Sequence, residues 1–108
     1  MEAQMSKTRI AAASTDGLHV NEHFGKATRF LIYDVDDQMF WIEDRPTESL
    51  SEEDPDHPFN ADKFLRIAAV LKDCSKVYVS RIGDTPAAKL KELGIEPVVY
   101  QGAIGDIK

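Results

Sequence analysis

One histidine of this chain stands where it could present an imidazole to a ligand. His23 lies within the segment Val20–Ala27 and is followed by Phe24 and Gly25, and apolar runs that resemble strands flank the segment. Imidazole is a common metal ligand, and binding groups tend to sit on connections held by a rigid scaffold. The pattern leaves two interpretations of His23 open: a metal ligand, or, as is commoner for an isolated histidine, a residue that hydrogen-bonds the loop backbone.

Positive charge and free backbone N–H groups are expected beside this histidine. Lys26 follows in the same segment, and Arg81 and Gly83 lead into a predicted helix, whose first N–H groups favour anions. An anionic, metal-containing ligand fits such a set better than a bare divalent cation, which needs several carboxylates or more His and Cys residues. The candidate ligand-binding residues are Asn21, His23, Gly25, Lys26, Arg81 and Gly83.

The other histidines and the single cysteine have plainer interpretations. His19 lies four residues before His23 but outside any predicted helix, so it is expected to be exposed rather than paired with it. His57 falls in an acidic loop and is interpreted as solvated. Cys74 precedes a predicted strand, at the sheet edge opposite His23, where a small buried hydrophobic residue is expected.

Length and charge exclude several function classes. The 108 residues predict one domain, 8–108, after a flexible leader at 1–7.

The charge of the chain argues against nucleic-acid binding. The net charge is −6, and five acidic residues lie between Pro46 and Pro58 without a Lys or Arg. No apolar run approaches the ~20 residues that a membrane span needs, and no signal peptide is evident. The single cysteine fits a reducing cytoplasm.

The apolar pattern predicts an α/β fold with a five-stranded mixed sheet in the order β-β-β-α-β-α-β. Strands are expected at 8–14, 29–35, 38–45, 76–80 and 96–100. One helix should follow an N-cap at Asn60 and the other an N-cap at Thr85, while Gly102 and Gly105 should loosen the end. Short connections make the first three strands antiparallel, and helical crossovers make the last three parallel.

Ligands of open α/β sheets bind at the carboxyl ends of the parallel strands. The segments expected to meet at that edge are Ser14–Gly17 with the His23 segment, Arg81–Thr85 and Gln101–Gly102. The acidic loop at 46–58 should leave from the same edge, where it could act as a lid.

These residues resemble the dinitrogenase iron–molybdenum cofactor-binding domain, which occurs in nitrogenase cofactor carriers of the NifX and NafY type and at the end of the NifB maturase. The resemblance covers Thr8 to Gly102, and its most specific part is Asn-x-His-Phe-Gly at Asn21–Gly25. Later segments that share it include Arg81–Gly83.

The resemblance implies a ribonuclease H-like fold and transient, non-catalytic binding of an iron–molybdenum cofactor or its iron–sulfur precursor, with His23 as metal ligand. Its implied partners are the metallocluster and nitrogenase maturation proteins or apo-dinitrogenase. The resemblance also implies a final helix, which we expect to be short or truncated after Ile107.

Two other function classes stay open. One is a regulatory or interaction module of the same fold, in which the acidic loop docks a partner and no cluster binds. The other is a ribonuclease H-like hydrolase, which is disfavoured because the strand at 8–14 lacks the carboxylates of a two-metal site. No nucleophile–base–acid arrangement is evident, so we expect no enzymatic activity.

Overall fold

The structure, a computed structural model, describes residues 8–48 and 61–107. Within these ranges the chain forms seven strands, two helices and two short 3₁₀ turns. The helices are α1 (Ala61–Val70) and α2 (Asp84–Glu92). The strands are β1 (Thr8–Ala13), β2 (His19–Val20), β3 (Arg29–Val35), β4 (Met39–Pro46), β5 (Lys76–Val79), β6 (Glu96–Val99) and β7 (Gly102–Ala103). Neither described helix is long and apolar enough to cross a membrane.

The main sheet has five strands in the order β4-β3-β1-β5-β6. β3 pairs antiparallel with both β1 and β4, whereas β5 pairs parallel with both β1 and β6. The predicted five-stranded mixed sheet is therefore confirmed. The carboxyl ends of β1, β5 and β6 lie at one edge, which we call the carboxyl edge.

Two apolar clusters fill the two faces of this sheet. On one face, α1 and α2 pack through Phe64 and Leu90 against the strands, and we call this cluster the helix-side core. On the other face, Val20 of β2 and Ile104 pack against Tyr78, and we call this cluster the ribbon-side core. Both helices share one face because crossovers of one hand that advance in one direction across a sheet stay on one side.

The central strand β1 has only small side chains where both faces are covered. Ala11, Ala12 and Ala13 are fully buried, with Ala11 and Ala13 in the helix-side core and Ala12 in the ribbon-side core. A strand that is buried on both faces reads as a continuous apolar run rather than an alternating one. Small side chains bring both covering layers close to the strand.

Two sequence expectations about local structure are wrong. The N-cap of α2 is Gly83, not Thr85, which lies inside the first turn of a helix that begins at Asp84. Pro86 is still tolerated because N–H groups of the first turn have no intrahelical acceptor. Gly102 does not loosen the end of the chain, since β7 pairs antiparallel with β2 in a separate two-stranded ribbon.

The conformation of this ribbon depends on Gly102. Its φ of 149° lies in the region that favours glycine, and a Cβ there would lie 3.2 Å from the Tyr100 hydroxyl oxygen. That hydroxyl donates a 2.7 Å hydrogen bond to the Ala103 carbonyl. The expected leader at 1–7, the Asn60 cap, His57 and the acidic loop beyond Glu48 lie outside the described residues.

Ion pairs between arginine and aspartate join three strands. They connect Arg9 at the start of β1, Asp73 just before β5 and Arg45 near the end of β4. Arg45 binds Asp73 through two N–H donors at 2.6 and 3.0 Å and also donates to the Val70 carbonyl at the end of α1. Arg9 donates to the same Asp73 carboxylate at 2.9 Å and to Asp34 at 2.7 Å. These hydrogen bonds, led by those from Arg45, lower the pKa of Asp73 well below its usual value.

Replacing Asp73 with asparagine is expected to lower the free energy of unfolding by about 1–2 kcal/mol at pH 7, a discounted figure because the carboxylate is partly exposed. The native Asp73 contributes stability above its unfolded pKa of about 4, and loses it as pH falls through the lower folded value. Denaturant unfolding at pH 7 and near pH 2 should show the difference from wild type shrinking in acid. Asp37→Asn, at an exposed position in the β3–β4 turn, serves as control. A constant difference at both pH values would contradict this assignment.

Candidate functional site

The segment that carries His23 crosses the carboxyl edge of the sheet from one face to the other. Val20 lies in the ribbon-side core and Phe24 in the helix-side core. The three residues between them therefore span the edge itself. The Asn21 N–H donates to the carbonyl of Ala13, the last residue of β1, at 3.3 Å. The crossing point is thus attached to the central strand.

Backbone pairing places His23 beside Arg81. The two residues form a parallel β-bridge just beyond the end of β5. The Phe24 N–H donates to the Arg81 carbonyl at 2.8 Å, and the Ser80 N–H donates to the Glu22 carbonyl at 3.0 Å. The His23 N–H is bound by the Glu22 carboxylate at 2.9 Å. His23 is half-buried, and no hydrogen bond or ion pair to another described residue occupies its imidazole.

Phe24 anchors this crossing segment in the core. Its side chain is 1% exposed, and its ring centroid lies 6.0 Å from that of Phe30 and 6.3 Å from that of Phe64. Tilted aromatic pairs at such distances contribute beyond the area that they bury. Phe24 is therefore a core residue, and its burial limits where His23 can lie.

A 3₁₀ turn, Phe24–Lys26, follows His23. Gly25 lies in the middle of this turn, and its φ is negative. Among the described residues, the Gly25 N–H has no backbone acceptor, whereas the Lys26 N–H donates to the His23 carbonyl at 3.1 Å. The turn thus presents a backbone donor next to the imidazole, and Lys26 is exposed.

The start of α2 lies two residues beyond Arg81. Gly83 is the N-cap, and no side chain caps the helix. The N–H groups of the first turn are therefore available for an anion, as at other helix N-termini. The Asp84 carboxylate lies in the same turn and already complements the helix dipole, which makes this donor set weaker than an uncharged turn.

The cations of this region differ in what they already bind. Arg81 is exposed and forms no ion pair with a residue of the described ranges 8–48 and 61–107. Arg29 instead donates to the Thr15 carbonyl at 3.2 Å and pairs with Asp44 at 3.3 Å. Arg81 is therefore the better source of charge for an anionic ligand, and Arg29 holds the loop after β1.

Asn21 shapes the loop rather than offering a free amide. Its Oδ1 accepts the Thr15 N–H at 2.9 Å, and its Nδ2 donates to the Thr15 hydroxyl at 3.0 Å. The structure thus brings Asn21, His23, Gly25 and Lys26 together in one segment with Arg81 and Gly83 beside it. Whether these six residues bind a ligand stays a prediction.

Sequence reasoning missed an Asp–His pair in the turn after β1. Asp16 and His19, three residues apart, form a 2.9 Å contact between Oδ2 and Nδ1. Asp16 also accepts the N–H groups of Leu18 and His19, so hydrogen bonding, led by that from the His19 side chain, lowers its pKa strongly. The Asp-x-x-His spacing could have indicated this pair. When the aspartate accepts N–H groups of a tight turn, a histidine three residues later comes within contact of its carboxylate.

Cys74 lies where the sequence placed it. It is buried, next to the start of β5, and therefore at the edge opposite His23. Burial, with a contribution from Asp73, raises the pKa of its thiol to about 12. Only the thiolate is a good metal ligand, so a packing role is the stronger interpretation. No three His, Cys, Asp or Glu side chains of the described residues come together as a site for a metal ion.

Comparison with known proteins identifies relatives of this chain. A family described as dinitrogenase iron-molybdenum cofactor matches residues 6–108. The chain is 35% identical over 97 residues to the FeMo cofactor biosynthesis protein NifB of Chlorobaculum tepidum, covering 88% of this chain and 22% of that protein. It is 34% identical over 90 residues to the protein NifY of Azotobacter vinelandii, covering 83% of this chain and 35% of that protein.

Two further matches extend this comparison. The protein NifX of Sinorhizobium fredii is 32% identical over 92 residues, which is 83% of this chain and 58% of that protein. An NMR structure of a protein described as NifB from Thermotoga superposes with a TM-score of 0.57 and 19% identity, over 90% of this chain and 80% of that one. The latter shows a shared fold. The chain spans about a fifth to a third of the length of the NifB and NifY proteins.

Proposed function

Since this chain belongs to the dinitrogenase iron-molybdenum cofactor family, we propose that it binds an iron–molybdenum cofactor, or its iron–sulfur precursor, and hands it on without turnover. The observation that carries the proposal is the pairing of His23 with Arg81 at the carboxyl edge of the sheet. An imidazole ligand and a cation are thereby held side by side. In this proposal His23 is the metal ligand, and Arg81, Lys26 and backbone N–H groups near Gly25 and Gly83 balance the charge.

The donor set favours an anionic cluster over a single metal ion. One imidazole supplies too few ligands for a bare ion, and no fuller group of ligands forms among the described residues. A cluster carries its own sulfide ligands and a net negative charge, so that it needs only an anchoring imidazole and nearby positive charge. Few protein ligands also suit a carrier, because binding must be reversible for the cargo to be released.

We also propose which proteins receive the cofactor and which type of fold binds it. The partners are nitrogenase maturation proteins or apo-dinitrogenase, in the cytoplasm, and the fold is of the ribonuclease H-like type. The relationship to the FeMo cofactor biosynthesis protein NifB supports this placement. A non-catalytic role is supported by the residues around His23, because no nucleophile–base–acid arrangement forms there among residues 8–48 and 61–107.

Anaerobic titration with isolated iron–molybdenum cofactor tests the proposal. The wild-type protein is expected to bind it saturably, with a change in the visible and electron paramagnetic resonance spectra, and to release it to apo-dinitrogenase. No spectral change at any cofactor concentration would overturn the carrier function.

Charge at Arg81 supplies a graded test in the same titration. Arg81→Gln is expected to weaken binding by about two- to fivefold, the effect of one exposed charge, and to reduce the dependence of affinity on salt. Lys91→Gln removes an exposed charge from the far end of α2 and should leave affinity unchanged. Equal effects of both variants would mean that only overall charge matters.

A further inference from the structure

The turn between β1 and β2 holds the His19 ring in one orientation. Asp16 Oδ2 contacts His19 Nδ1 at 2.9 Å, while Oδ1 accepts the backbone N–H groups of Leu18 and His19 at 2.8 and 2.9 Å. The Ser14 hydroxyl donates to the same oxygen at 3.1 Å. Pairing of His19 with Ala103 in the β2–β7 ribbon fixes the backbone at this position. The backbone of His19 and its imidazole ring are therefore both held in place.

This contact determines which ring nitrogen of His19 is open. Asp16 is surrounded by donors and is ionised, so its oxygens can only accept hydrogen bonds. His19 Nδ1 must then carry the proton, and in the neutral ring the lone pair lies on Nε2. Within the described part of the chain, no group hydrogen-bonds to His19 Nε2, and the side chain is 52% exposed.

A carboxylate that accepts one imidazole N–H while the other nitrogen faces outward is the usual setting of a metal-ligating histidine. A surface histidine without a metal role gains little from this, because an exposed ion pair contributes little to stability. The backbone N–H bonds of Asp16 would shape the turn equally well without the ring. The orientation of His19 thus matches that of a metal-ligating histidine.

His19 and His23 lie on the same short segment of the chain. Four residues of chain separate their Cα atoms by at most about 14 Å. His19 precedes Val20, which is buried in the ribbon-side core, and His23 lies where the chain crosses the carboxyl edge. Both residues therefore lie at the same end of the sheet. A cluster of several metals, unlike one ion, offers separate coordination positions to both.

We propose that His19, oriented by Asp16, is a second imidazole ligand for the metallocluster, in addition to His23. This inference rests on the proposed function and extends it. The neutral Nε2 donates its lone pair to an iron with an open coordination position. The Nδ1 proton stays on the ring in its hydrogen bond to Asp16, so that binding by this nitrogen releases no proton and transfers no electron. Asp16 is a positioning residue.

The first test uses the protein without any cluster. Nitrogen NMR of ¹⁵N-histidine-labelled protein near pH 8 should show His19 as the tautomer protonated at Nδ1. Asp16→Asn should abolish that preference while the backbone amide spectrum shows an intact fold. A His19 ring protonated at Nε2, or one that averages between tautomers in the wild-type protein, would overturn the proposal.

The second test is anaerobic titration of the same labelled protein with isolated iron–molybdenum cofactor. His19→Asn is expected to weaken binding about 100-fold and Asp16→Asn about tenfold, because loss of a group that orients a metal ligand costs about 10–100-fold. Pulsed electron paramagnetic resonance should detect two coupled imidazole nitrogens in wild type and one in His19→Asn. Wild-type affinity and an unchanged nitrogen signal in His19→Asn would overturn the second ligand and leave the proposed function standing. Absence of binding by the wild-type protein would overturn both.

Discussion

Replacing His23 with alanine is expected to weaken binding of isolated iron–molybdenum cofactor by about 100-fold. Loss of groups that merely orient a metal ligand costs about 10–100-fold in affinity, so loss of the ligand itself should lie at or beyond the upper end of that range. The His23 side chain is half-buried and makes no hydrogen bond or ion pair with another described side chain. We therefore expect the free energy of unfolding to change by less than about 1 kcal/mol.

Cys74→Ala is the matched control for this experiment. It removes the single thiol of the chain, which is buried at the opposite edge of the sheet and has a pKa raised to about 12. Its expected effect is a modest loss of stability from the small cavity, with unchanged affinity for the cofactor. Equal losses of affinity in the two variants would show that the site lies elsewhere than the carboxyl edge.

Added imidazole separates a ligand from a structural residue. If His23 coordinates the cluster, free imidazole should restore part of the affinity that His23→Ala loses, since the small molecule can occupy the vacated position. It should have no such effect on Arg81→Gln. Loss of affinity without any rescue would favour a role for His23 in shaping the crossing segment, for example through its bridge to Arg81.

Phe24→Ala should produce the largest loss of stability among the substitutions considered. The ring is 1% exposed and lies against Phe30 and Phe64, so its removal leaves a cavity in the helix-side core. Such changes cost about 3–5 kcal/mol. Small domains have roughly 5–15 kcal/mol in total, so the midpoint of thermal unfolding should fall by about 15 °C or more.

The matched control is Phe40→Ala. This phenylalanine lies on the edge strand β4 and is 47% exposed, so we expect a loss of less than about 1.5 kcal/mol. Phe24→Leu keeps much of the buried volume and should remain folded. Its cofactor affinity should nevertheless fall, because the residue that holds His23 in place has changed shape. Equal destabilisation by Phe24→Ala and Phe40→Ala, in thermal melts followed by circular dichroism, would contradict the anchoring role.

Local sequence patterns determined the main elements of the sheet and helices. Alternating and continuous apolar runs located β1, β3, β5 and β6 to within about a residue. These signals are reliable because burial acts on side chains a fixed distance apart along the chain. The position of Cys74 was predictable for the same reason, since it precedes a recognisable strand.

Features that depend on contacts between distant segments were not predictable in this way. The β2–β7 ribbon pairs two-residue strands more than 80 positions apart, and neither is long enough to have a pattern of its own. The start of α2 was misplaced because a side-chain cap at Thr85 was expected where Gly83 caps with backbone alone.

In the candidate site, too, the sequence determined some features and the tertiary structure determined others. The sequence by itself determined that His23, Phe24 and Gly25 form the distinctive segment and that its neighbours carry positive charge. Only the tertiary structure decided that His23 pairs with Arg81, that Arg29 and Asn21 are already occupied, and that Asp16 orients His19. The physical reason is that the residue type determines what a side chain can bind, whereas the folded backbone determines which partners lie within its reach.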